Sequence, residues 1–124
     1  MDRTLVLKLL GKKDSVDLGD QLYNLREITE ELRELIILNL PIKEEIIEIT
    51  IKRLSDIYNI IMPIKENFKD DNSIVGYTNS KVYLSQFIND LCVNIQGLIR
   101  SCKPFDNKGF IYHTNIIIDL VLVY

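Results

Sequence analysis

Residues 84–102 read LSQFINDLCVNIQGLIRSC. In this stretch Leu84, Ile88, Leu91, Ile95, Leu98 and Cys102 recur at alternating spacings of four and three without a miss. Residues so spaced lie on one side of a 3.6-residue helix, and no strand produces that period. Phe87, Cys92 and Ile99 flank the stripe and widen it. A helix with one broad apolar side has to bury it against other elements, so the question becomes what those elements are.

Working outward, residues 42–61 give a second helix with two stripes. Ile47, Ile51, Leu54, Tyr58 and Ile61 form one; Ile46, Ile57, Ile60 and Ile64 form another beside it, interrupted at Thr50 and Arg53. An element apolar on two sides is expected at the centre of the fold. Pro63 is expected to end or kink this helix, although Ile64 and Phe68 suggest one more apolar turn. Upstream, Leu18, Leu22, Leu25, Leu32 and Ile36 mark a first helix, with Thr29 filling the missing step. Asp14, Ser15 and Asp17 offer it N-caps, and Pro41 separates it from the second. Residues 69–79 read as a linker, with Thr78 or Ser80 as the cap of the third helix. Pro104 to Gly109 reads as a loop. The last segment, Phe110 to Tyr124, is apolar except for His113, Thr114, Asn115 and Asp119. It is a helix capped by Thr114 or Asn115, or a strand paired with Thr4–Leu10. Helix is preferred, because a two-stranded sheet alone is marginal. The expected fold is all-α: a single domain over residues 1–124, built as an antiparallel bundle of about four helices with the second and third at its centre.

The composition limits what such a bundle does. The 124 residues contain twenty isoleucines, seventeen leucines and no alanine. Without the best helix former, the helices depend on packing rather than propensity. The bias toward AT-rich codons points to an AT-rich genome, such as that of a virus, phage, mobile element or low-GC microbe. A net charge of −3 disfavours a protein that coats nucleic acid. Cys92 and Cys102 have no ligand-like spacing and read as reduced thiols, so a soluble, intracellular (cytoplasmic) location is expected. No apolar run is long enough for a membrane span. His113 has no partner with metal-ligand spacing and reads as a capping or solvent-facing residue.

The acidic residues are the main chemical candidates. Glu31 and Glu34 lie one turn apart, Glu44, Glu45 and Glu48 open the second helix, and Asp56 lies farther along it. The run Glu30-Glu31-Leu32-Arg33-Glu34-Leu35 followed by Arg53-Leu54-Ser55-Asp56-Ile57 resembles the MazG-type all-α nucleotide pyrophosphohydrolases. Those use ExxE on one helix and ExxD on the next. The resemblance implies Glu31, Glu34 and Asp56 as ligands of Mg²⁺; Arg53 stands where the family has an acid. In size and helical character the chain is also similar to the helical small subunits of CRISPR effector complexes, although no basic groove is legible. The HEPN-type RNA-cleaving toxins require His four to six residues after an Arg, whereas His113 follows Arg100 by thirteen.

Surplus apolar surface favours another function: a non-enzymatic interaction protein without cofactor that self-associates. Ile116, Ile117, Leu120, Val121 and Val123, with Ile118 and Leu122 among them, are expected at the interface of a homo-oligomer. The alternative is that this segment runs through the bundle and is enclosed by it.

Overall fold

A computed structural model describes residues 12–67 and 84–123. Four helices account for nearly all of them: α1 Lys12–Ile37, α2 Glu44–Asn67, α3 Leu84–Cys102 and α4 Asn107–Val123. No strand occurs among the described residues. The C-terminal segment is thus a helix. The strand alternative fails because Phe110, Thr114, Ile117 and Val121, spaced four, three and four, are all buried on one side of α4. The segment expected to pair with it, Thr4–Leu10, lies outside the described residues, as do Thr78, Ser80 and Phe68.

The helices form a ring. α1 packs on α2 and α4, α3 packs on α2 and α4, and neither diagonal pair is in contact. Each neighbouring pair runs antiparallel. Glu31 of α1 meets Arg53 of α2, and Asn94 of α3 meets His113 of α4. Ile47 lies near Cys102, while Lys65, farther along α2, acts on Cys92. This arrangement corrects the expectation that α2 and α3 are central. All four helices are corners of the ring, each facing two neighbours, and the two stripes of α2 flank its buried line. Its buried line crosses between the stripes, through Thr50, Leu54, Ile57, Ile61 and Ile64. Ile47, Ile51 and Tyr58 are only half-buried, and Ile60 is exposed.

Local chemistry sets the ends. Asp14, Ser15 and Asp17 lie inside α1, which has already begun by Lys12, so none of them is the cap. α1 ends at Asn39, whose φ of 53° is left-handed. The Leu40 amide donates to the Leu35 carbonyl at 2.9 Å and the Asn39 amide to the Ile36 carbonyl at 3.1 Å. This is the Schellman closure, in which Asn replaces Gly because it tolerates the left-handed region. Pro41 then prevents continuation. α2 starts with Glu44 and Glu45, acids at the positive end of the helix dipole, and runs through Pro63 for one more turn. The missing donor at Pro63 deprives only the Asn59 carbonyl, on an exposed residue, while Ile64 beyond it is buried. α4 begins earlier than Thr114 or Asn115. Asp106 precedes it, accepting from the Phe110 amide at 2.8 Å through its carbonyl.

The core joins Leu18, Leu22, Leu25 and Leu32 of α1 with Leu54 and Ile61 of α2, Ile88, Leu91, Ile95 and Leu98 of α3, and Phe110 and Ile117 of α4. Thr29 fills its step in the α1 stripe. It is fully buried, with its hydroxyl donating to the Leu25 carbonyl at 2.7 Å.

Candidate functional site

The carboxylates singled out by sequence do not assemble. Glu31, Glu34 and Asp56 are all exposed. Among the described residues no three His, Cys, Asp or Glu side chains are grouped so as to hold a metal ion. Instead Glu31 accepts from Arg53 Nη1 at 3.3 Å across the α1–α2 seam. The cation that departs from the MazG pattern therefore engages one of the implied ligands. Asp56 lines a shallow groove on the same seam with Gln21, Asn24 and Ile60.

The C-terminal segment is largely consumed by the bundle. Ile117 and Val121, expected at a subunit contact, are core residues, and Ile116 and Leu120 are half-buried. Leu122 is left exposed. The side chain of Val123 lies outside what is described. The run looked apolar all round because α4 meets both α1 and α3, so two of its sides are covered.

His113 lies in the second turn of α4, facing α3 rather than capping anything. The Asn94 amide nitrogen donates to the Asp90 carbonyl at 2.8 Å, which leaves Asn94 Oδ1 to accept. His113 Nδ1 lies 3.0 Å from that oxygen and must carry the proton, since an amide oxygen cannot donate. The ring lies over Gly97. A methyl there would sit 2.7 Å from Nδ1 and closer to the other two ring atoms beneath it. Burial holds the imidazole below its usual pKa, with Asp106 pulling weakly the other way. The site is a helix clamp: it fixes how closely α3 and α4 approach. Gly109, a turn earlier on α4, has a similar role, because a Cβ there would press on the Ser101 hydroxyl at 2.5 Å and Asp106 Oδ2 at 2.8 Å. The two thiols offer no nucleophile. Cys92 and Cys102 are free and buried, and burial pushes both up to about 11, so the thiolate is scarce at neutral pH.

What remains is a surface that the stripes did not mark. The 38–43 and 103–106 connections lie at the same end of the bundle, and Ile37, Leu38, Leu40 and Phe105 are exposed there. Two recesses open beside them. One lies between α2 and the end of α3, where Ile42 and Ile47 face Cys102 and Phe105, with Glu44, Glu48 and Lys103 on its edge. The other follows the α1–α2 seam, over Leu35, Ile46 and Ile49 as far as Arg53. Two signals for this surface were present in the sequence: leucines on both sides of Asn39 in a connection, and Ile49, which belongs to neither stripe of α2.

No family model, no curated protein and no solved structure matches the chain. No helix among the described residues is long and apolar enough to cross a membrane.

Proposed function

We propose that the protein acts by contact: a small, non-enzymatic helical bundle that self-associates and works through protein–protein interaction, encoded by an AT-rich genome such as that of a virus or mobile element. One observation carries this. The core is complete without Ile37, Leu38, Leu40, Ile49 and Phe105, yet these large apolar side chains stay exposed around one end. Single exposed apolar residues are ordinary, whereas several gathered at one place mark an interaction surface. The solvated carboxylates and the Glu31–Arg53 pair support the same view, since a cation at that seam opposes a metal there.

Sedimentation equilibrium of the intact chain tests it. The expected mass is near twice 14.4 kDa at micromolar concentration, falling on dilution. A mass that stays at that of one chain at every concentration overturns self-association. A turnover assay addresses the nucleotide pyrophosphohydrolase alternative: release of pyrophosphate from a nucleoside triphosphate with Mg²⁺, abolished by Glu34→Gln, would overturn the non-enzymatic assignment.

A further inference from the structure

We infer that the apolar end is a two-fold interface and that its occupant is a second copy of this chain, so that two bundles meet through the α1–α2 corner and the 103–106 connection. This rests on the self-association proposed above and assigns it a surface.

Area is the first support. Leu38 and Ile49 are 58% and 59% exposed, Ile37 67%, Leu40 48% and Phe105 42%. At roughly 150 Å² for a fully exposed side chain of this size, they offer on the order of 400 Å² of apolar surface. A standard interface takes about 800 Å² from each partner, somewhat over half of it apolar. Half-buried Leu35, Ile42 and Ile46 form the floor of the two recesses and bring the patch to that scale.

Charge is the second. Lys43 and Lys103 stand at the rim with Glu44 and Glu48, and all four are exposed. The ion pairs among the described residues are Arg26–Glu30 and Arg53–Glu31, so none of these four is paired with another described residue of its own chain. A partner of one sign would leave either the lysines or the glutamates facing like charge. A two-fold copy presents both signs, so that glutamates of the other chain are available to the lysines.

The test is sedimentation equilibrium of three full-length variants beside the unmodified chain, with far-UV circular dichroism confirming helix content. Ile49→Glu and Leu38→Glu place a charge on exposed positions of the patch. Leu122→Glu places one on the exposed side of the C-terminal helix. The expected result is a dimer weakened at least tenfold by each of the first two and unchanged by the third. A dimer indifferent to Ile49→Glu and Leu38→Glu, or dissociated by Leu122→Glu alone, overturns this surface while leaving self-association standing. An unmodified chain that is monomeric throughout overturns both.

Discussion

Gly97→Ala isolates the contact that sets the α3–α4 spacing. In an ordinary helix the change is favourable, because Ala exceeds Gly in helix propensity by about 1 kcal/mol. Here the new methyl would occupy the space of the His113 ring, 2.7 Å from Nδ1. The ring has to swing away and lose Asn94 Oδ1. That oxygen belongs to a residue only 9% exposed, and a buried acceptor left without a partner costs about 1–3 kcal/mol. The net expectation is a loss of up to about 2 kcal/mol in the unmodified background. In a His113→Ala background the ring is already gone, and Gly97→Ala should stabilise by up to about 1 kcal/mol. Urea unfolding of the four proteins measures the cycle, and the sign change should give a coupling well beyond the roughly 0.5 kcal/mol scatter of independent sites. If Gly97→Ala stabilises both backgrounds equally, the imidazole does not lie on Gly97 and the helix clamp is wrong.

Other substitutions probe the rest of the bundle. Val121→Asp puts a carboxylate into the core and should abolish the helical circular dichroism signal, since an unpaired buried charge costs several kcal/mol out of a total of about 5–15; a soluble folded monomer would show Val121 to be at a surface. Thr114 is fully buried and its hydroxyl has no partner among the described residues, so Thr114→Val should raise stability by about 1 kcal/mol in urea melts, and a loss of that size would mean the hydroxyl is bonded. Because burial lowers the pKa of His113 from 6.5, the folded chain binds fewer protons than the unfolded one just below that value. Its contribution is complete above about pH 6.5 and is lost as pH falls through the folded pKa. The urea midpoint should decline from about pH 7.5 toward about 5.5 and flatten in His113→Gln; an unchanged slope would remove His113 as the cause. Asp90, raised by burial, acts in the opposite sense, which the His113→Gln comparison separates from the histidine.

The α3 stripe was legible because one helix side met the core with no competing pattern: Ile88, Leu91, Ile95, Leu98 and Cys102 are all buried, while the side chain of Leu84 lies outside what is described. The double stripe of α2 was legible as a pattern but not as a position. Two apolar sides suit a central helix and a corner helix equally, and only the ring of contacts distinguishes them. The run Ile116–Val123 hid its period because nearly every residue is apolar, so the sequence pattern could not separate buried Val121 from exposed Leu122. The clamp was not legible at all. His113, Asn94 and Gly97 come from two helices, and their meeting depends on the register set by the 103–106 connection. The same holds for Glu31 and Arg53, 22 positions apart in the chain. The acids were visible as residues, but their solvation followed from which way each helix turned to cover its leucines.

The most direct test of the proposed interface is an isotope-filtered NOE measurement on protein mixed from one labelled and one unlabelled preparation, which detects only methyl contacts between chains. The expected result is intermolecular cross-peaks at Leu38, Leu40 and Ile49, with none at Ile116, Leu120 or Leu122. Cross-peaks confined to the C-terminal helix, or none at concentrations where the protein sediments as a dimer, would contradict it.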